Sequence, residues 1–371
     1  MSRALQNQYQ PDFVTPPGET LEETLEAIGM TQADLAKRMG RPVKTINEII
    51  QGKAAITADT ALQLERVLGV PASFWNNREY DYREARARIA EQERLSSYHE
   101  WLKRFPIAAM VRRCWIKGQT GTVQQLQELL NFFGVASPEQ WMQLWQAPDV
   151  AYRRSAVFES QPAAVSAWLR KGELEAQQIQ CAPYDAKRFT SLLGEIRGLT
   201  LTPPPDYLAE LPRICARAGV AVVYVPNLPK APVSGATRWL TPEKALLLVS
   251  FRHKSDDNFW FSFFHESGHI LRHGKRAVFI EENEATSEAE QEADAFAQDM
   301  LIPPREHQVL LSLVPYSHAK IERFAEQIGI APGIVVGRLQ KFGQLPHSHC
   351  NDLKQAVDDS MLAPVECIGV A

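Results

Sequence analysis

The run Thr202-Pro-Pro-Pro205 divides this chain more sharply than any other feature, because three consecutive prolines lack amide donors and fix φ, so no helix interior or central strand can run through them. The character of the sequence changes across that break. From about Leu21 to Leu201 the apolar residues recur at helical spacing, interrupted by Gly and Pro, and no segment alternates as a strand does. Beyond it, a helix near Tyr207–Ala218 leads into Val220-Ala-Val-Val-Tyr-Val225, the first strand pattern, and Lys244–Phe251 reads as another. Helices are expected at about Asn258–Arg272, Ser287–Leu301 and Tyr316–Ile328, so Pro203 to Phe342 reads as α+β.

The 371 residues exceed what a single core usually organises, and 45% hydrophobic with 23% charged residues is ordinary globular composition. The spacing predicts a multidomain chain with a compact helical module over residues 1–92, a tryptophan-rich helical middle region over 93–202, an α+β domain over 203–345 and a poorly ordered tail over 346–371. The net charge of −4 announces neither nucleic acid nor an anionic membrane as partner of the whole chain, so any basic face must be local. Five cysteines without Cys-x-x-Cys spacing are not a disulfide framework. The polar start and the shortness of every apolar run predict a soluble, cytoplasmic protein.

In the first module Thr20-Leu-Glu-Glu23 has the form of a capping box and is expected to open the first helix. Thr31–Met39 and Lys44–Gln51 form two short helices around Gly40-Arg-Pro-Val43, which is helix-turn-helix geometry. Leu35, Ala36, Ile46 and Ile49 would pack between the helices, leaving Lys44, Thr45, Asn47 and Glu48 outward. Five basic residues and one acidic one between Lys37 and Lys53 give this segment a local charge of +4. Cations release phosphate counterions, and short polar side chains on an inserted helix reach base edges, so the arrangement suits duplex DNA.

Three blocks, Gly29-Met-Thr-Gln-Ala-Asp-Leu-Ala, Ile46-Asn-Glu-Ile-Ile-Gln-Gly and Ile56-Thr-Ala-Asp-Thr-Ala-Leu-Gln-Leu, resemble the HigA-type antitoxins of the XRE (Cro-like) repressor superfamily. The resemblance implies a homodimer on a palindromic double-stranded operator, often its own promoter, with Gln32, Lys44, Thr45 and Asn47 as DNA contacts. Pro42 and Glu48 depart from a typical base-reading helix, so no operator sequence carries over.

Phe264-His-Glu-Ser-Gly-His269 contains H-E-x-x-H after an aromatic-rich run. Residues four apart lie on one helix face, so His265 and His269 can reach one Zn²⁺, with Glu266 beside them as the base that takes a proton from an attacking water. His273 continues the stripe, but eight helical residues carry it about 12 Å along the axis from His265, too far to share the ion. It is expected to cap the helix or flank the cleft. Seven acidic residues and no basic one between Glu281 and Asp294 offer a carboxylate ligand. Glu290 and Asp294 stand one turn apart, the spacing at which one binds metal and the other orients a ligating histidine. Glu288 and Glu292 read as solvated.

The segments Ser234-Gly-Ala-Thr-Arg-Trp239, Asp257–His273 and Glu290-Gln-Glu-Ala-Asp-Ala-Phe-Ala-Gln-Asp-Met-Leu-Ile-Pro303 resemble the ImmA/IrrE zinc metallopeptidases over about Pro203 to Phe342. That resemblance implies a zincin-like fold of reduced gluzincin form. It also implies Zn²⁺ held by His265, His269 and Glu290, Glu266 as catalytic base, and action on a regulatory partner such as a toxin or repressor, or on the chain itself, which leaves Asp294 as the carboxylate behind a ligating histidine. Ser234, Gly235, Ala236 and Thr237 would bind an extended substrate if they form an edge strand. A second class of function, a non-enzymatic antitoxin and autorepressor using the peptidase fold to bind a toxin or sense a signal, keeps the helix-turn-helix but has no chemical need of Glu266. Basic and aromatic residues from Trp101 to Lys117 are expected to be a helix that buries its rings and snorkels its cations.

Overall fold

The computed structural model describes residues 14–146, 161–273, 279–280 and 288–362. The chain divides into two compact units, Met1–His99 and Glu100–Ala371.

The first unit is all helical: α1 Pro17–Ala27, α2 Gln32–Met39, α3 Val43–Ile50, α4 Ala58–Leu68 and α5 Ala72–Ser96. Helix α1 begins before the expected Thr20, because Pro17 in its first turn has φ pre-set for the helix and no amide to leave unpaired. Thr20 therefore lies inside the helix, and the capping box sits instead at α2, where Asp34 N donates to Thr31 Oγ1 at 3.1 Å and Thr31 N to Asp34 Oδ2 at 3.4 Å. Helix α2 ends at Gly40, whose φ of +66° is left-handed and turns the chain into α3. Leu21, Leu35, Ile46, Leu64 and Trp75 are wholly buried between these helices.

The second unit is mostly helical around a small sheet. Helix α6 (His99–Leu102) spans the division, followed by α7 Ile107–Arg112, α8 Thr122–Phe133, α9 Pro138–Gln146, α10 Pro162–Gln178, α11 Ala186–Gly198 and α12 Pro204–Ala216. The proline run forms the N-terminus of α12, with Pro203 as its cap residue. Then come β1 Val220–Tyr224, β2 Gly235–Thr241, β3 Lys244–Val249, α13 Asp256–Arg272, β4 Phe279–Ile280, α14 Glu288–Leu301, α15 Pro304–Leu311, α16 His318–Ile328 and α17 Pro332–Lys341.

The sheet order is β1-β3-β2-β4, with β1 parallel to β3 and the other pairs antiparallel. Strand β3 is central and almost continuously apolar, as a strand covered on both faces must be. Its Ala245, Leu247 and Val249 join the aromatic residues of α13 in the main core, while α10 also packs on β1 and β3. Helix α10 comes from the middle region, so that segment lies in the same compact unit as the sheet. Trp101 and Phe105 of the basic and aromatic stretch are buried against Trp141 and Phe133, and Arg104 lies over the Trp141 ring at 5.7 Å.

Two polar anchors hold the elements around α13. The Arg197 guanidinium donates to the carbonyls of Met300, Leu301 and Ile328 at 2.8–3.0 Å, tying the C-terminal ends of α14 and α16 to α11. The segment beyond Pro346, expected to lack order, is packed as far as Leu362: Lys354 pairs with Asp257 at 2.7 Å, Gln355 N donates to Asp256 Oδ1 at 3.0 Å, and Val357 is buried. Charge pairing and backbone bonds fasten it where apolar periodicity offers no signal. Residues 363–371 lie outside the described residues. Cys181, Cys215 and Cys350 are free thiols, whereas Cys114 is disulfide-bonded, so not every cysteine is a free thiol. Among the described residues no helix is long and apolar enough to cross a membrane.

Candidate functional site

Helix α13 presents two faces. Phe259, Trp260, Phe263 and Phe264 point into the core, and their burial fixes the helix rotation. His265, Glu266 and His269 are also buried, at 2%, 0% and 1% exposure, an unusual placement for three polar side chains unless they have partners. The partners of the two histidines come from α14, which packs along α13.

Two imidazole nitrogens and a carboxylate converge. His265 Nε2 and His269 Nε2 are 3.0 Å apart, Glu290 Oε2 lies 3.0 Å from His265 Nε2, and Glu290 Oε1 lies 3.4 Å from His269 Nε2. The three side chains offer ligand atoms all within 4.8 Å of one another. Behind them, His265 Nδ1 meets Asp294 Oδ1 at 2.8 Å, and His269 Nδ1 meets His273 Nδ1 at 2.9 Å. His273 in turn contacts Glu292 Oε2 at 3.2 Å. His273 is the C-cap residue of α13, as the sequence leads one to expect, its N donating to His269 O at 3.0 Å, and Glu292 is exposed to solvent; what the sequence does not show is that the two meet. The link between them depends on ring orientation and on the register of α13 against α14.

The donor set fits a zinc ion. Burial drives the His269 imidazole down to about 4, which keeps it neutral with a lone pair to offer. Burial pushes Glu290 upward, but its contacts with His265 and His269 outweigh that and hold it at about 2, so the carboxylate is ionised. Two nitrogens and a carboxylate oxygen, with outer nitrogens held by further partners, are the donors of an open tetrahedral zinc site.

Glu266 lies beside the triad with the start of β2 against it. A Cβ built on Gly235 would stand 2.6 Å from Glu266 Oε1, so only glycine lets this backbone approach. Ser234 O accepts from Ser250 N at 2.8 Å, and Ser234 lines a cleft of about 520 Å³ together with His265 and Glu290. The expectation that 234–237 lie on an edge strand is corrected: Ala236 and Thr237 pair with Ile280 and Phe279 of β4, so β2 is flanked on both sides there.

In the first unit, Lys44 and Asn47 project from the exposed side of α3, Thr45 is half-buried, and Gln32 in the first turn of α2 stands 3.5 Å from Asn47 Nδ2. Lys44 is 3.8 Å from Glu48 on the same face. Arg41 belongs to a different network, paired with Asp59 and bonded to Gln63, each at 2.6 Å, so it is not one of the open cations of this surface.

Residues 21–75 match the helix-turn-helix family, and residues 215–340 match the IrrE N-terminal-like domain of the M78 peptidases. The chain joins an XRE-type helix-turn-helix domain to an IrrE/ImmA-like peptidase domain. The helix-turn-helix domain is 41% identical over 81 residues to virulence-associated protein I of Dichelobacter nodosus, covering 22% of this chain and 72% of that protein. It is 30% identical over 61 residues to the uncharacterized HTH-type transcriptional regulator YddM of Escherichia coli (strain K12), covering 16% of this chain and 65% of that protein. Solved structures with which it aligns include an addiction module antidote protein of a HigA family from Coxiella burnetii, at 32% identity and TM-score 0.21 over 23% of this chain and 95% of that one. Another is the Pseudomonas aeruginosa antitoxin HigA with higBA promoter, at 28% identity and TM-score 0.21 over 22% and 88%. The IrrE-like domain begins inside α12 and ends in α17, so it takes in the sheet, α13 and α14.

Proposed function

We propose that this chain is an operator-binding regulator of antitoxin type whose zincin-like IrrE domain is a zinc metallo-endopeptidase acting on a protein partner. The observation that carries the proposal is the convergence of His265, His269 and Glu290 beside the buried Glu266. A fold kept for binding alone has no reason to bury a fourth ionisable group there. Zinc, when bound, supplies a Lewis acid that polarises a peptide carbonyl and acidifies water. Glu266 takes the proton of the attacking water and passes it to the leaving amine. Asp294 holds the His265 ring in the tautomer that directs Nε2 inward, and His273 with Glu292 does the same for His269. Gly235 brings the β2 backbone up to Glu266, and of the segment 234–237 Ser234 lines the cleft in which a substrate would lie.

At the other end of the chain, Lys44, Thr45, Asn47 and Gln32 contact the major groove of a palindromic operator in the chain's own promoter, bound by a homodimer. The cleaved partner is a cognate toxin, another repressor or the chain itself. The experiment is elemental analysis of the full chain and His265→Ala after zinc reconstitution, followed by assay of Glu266→Gln. About one zinc per chain, lost in His265→Ala, and partner cleavage lost in Glu266→Gln with zinc retained are expected. A chain that holds no zinc after reconstitution would leave the non-enzymatic antitoxin as the better reading.

A further inference from the structure

The cleft beside the metal centre has a second end that the reaction chemistry leaves unused. Helices α13, α14 and α17 form it, with Phe261, Leu301, Ile302 and Ile334 as apolar lining, and Arg338 and Lys341 from α17 line it as well. Arg338 is half-buried and its Nε is enclosed with no hydrogen-bond acceptor. No carboxylate of the described residues lies within ion-pair distance of Arg338 or Lys341. The other acidic groups lining the cleft are engaged: Asp257 with Lys354, Asp294 with His265, and Glu290 with both histidines.

A desolvated guanidinium without an anion in direct contact is costly, and the fold offers it the face of Phe342, 4.7 Å from the ring centroid, and the longer-range attraction of Asp299, which does not pair with it. Burial pulls the Arg338 pKa below its ordinary value, the direction expected of a cation awaiting a counter-charge. His253, which also lines the cleft, is held toward its neutral form by burial and by Arg252, and an imidazole carries no negative charge in either form, so it is no counter-ion for Arg338. A planar guanidinium with open donors binds a carboxylate through charge-assisted hydrogen bonds.

Building on the peptidase reading, we propose that Arg338, assisted by Lys341, is the specificity-determining residue of this cleft and takes a carboxylate of the peptide substrate. Two sources share that chemistry: an acidic side chain near the scissile bond, and the free C-terminus of a short peptide. The apolar lining accommodates the aliphatic part of either.

The test digests a proteome-derived peptide library with the zinc-loaded full chain, Arg338→Gln, Arg338→Lys and Glu266→Gln, each checked for fold by circular dichroism. The same library with amidated C-termini forms a second arm. Wild type is expected to favour acidic over neutral cleavage sites, or free over amidated C-termini, by roughly 10- to 100-fold, the range for a hydrogen bond to a charged group. Arg338→Gln should bring that ratio to about one and Arg338→Lys should restore part of it. Persistence of the preference on amidation assigns an internal acidic side chain; its loss assigns the C-terminus. Cleavage without either preference, or an unchanged ratio in Arg338→Gln, overturns the proposal and leaves the peptidase reading standing. If wild type cleaves nothing, the peptidase reading fails, and thermal shift decides the carboxylate site by itself. Stabilisation by N-acetylglutamate over N-acetylglutamine in wild type but not in Arg338→Gln retains the site, and equal shifts overturn it.

Discussion

Asp294 Oδ1 meets His265 Nδ1 at 2.8 Å while the opposite nitrogen of the same ring faces His269 and Glu290. The carboxylate thus decides which nitrogen of His265 carries the proton and which offers a lone pair. Asp294→Asn should keep the fold and weaken zinc binding by roughly 10- to 100-fold, the usual consequence of losing a partner behind a ligating histidine. Chelator competition on the full chain measures it, and an unchanged affinity would remove Asp294 from the site.

The corresponding support of His269 runs through His273 to Glu292 and is more exposed, with Glu292 about half accessible. Solvent can replace part of what Glu292 does, so Glu292→Ala should cost less zinc affinity than His273→Ala. The two substitutions should also be non-additive, because they break one chain of contacts. A double-mutant cycle read by zinc competition checks this; independent, additive effects would show that His273 acts without Glu292.

Gly235 is the point at which β2 touches the proposed base. Gly235→Ala places a methyl 2.6 Å from Glu266 Oε1, closer than any real contact, so either β2 or the Glu266 side chain must move. The expected result is a loss of stability of about 1–3 kcal/mol with zinc content preserved, since neither histidine is touched. Partner cleavage should fall with it. Chemical denaturation and elemental analysis separate the two effects.

Much of this site was legible because its parts obey local periods. The four-residue spacing of His265 and His269, and of Glu290 and Asp294, places each pair on one helical face whatever the rest of the chain does. The aromatic run before His265 signals a helix with a buried side. What could not be read depends on how separate elements meet. Strand β4 has two residues, Phe279 and Ile280, too few for any alternation, yet it covers the side of β2 that was expected to be open. Arg338 looks like any cation near a helix end until α13, α14 and α17 close around it. Thr20 and Glu23 fit a capping pattern, but Pro17 opens α1 about one turn earlier.

Stability should also carry a trace of Asp256, a buried carboxyl at the start of α13 whose pKa burial lifts from 3.8 to about 6, against the lowering effect of the Gln355 amide. The unfolded chain releases this proton near pH 4 and the folded chain near pH 6, so folding retains a proton between those values. This group's contribution is therefore most favourable below about pH 4 and declines as pH rises to 6, by on the order of 3 kcal/mol. Asp256→Asn keeps an oxygen acceptor for the Gln355 and Asp257 amides and cannot ionise. Relative to wild type it should gain stability as pH rises from 4 to 6 and hold that gain above 6. Urea denaturation of both proteins across this range measures the difference, and parallel stability curves would mean that Asp256 ionises in the folded chain as readily as in the unfolded one.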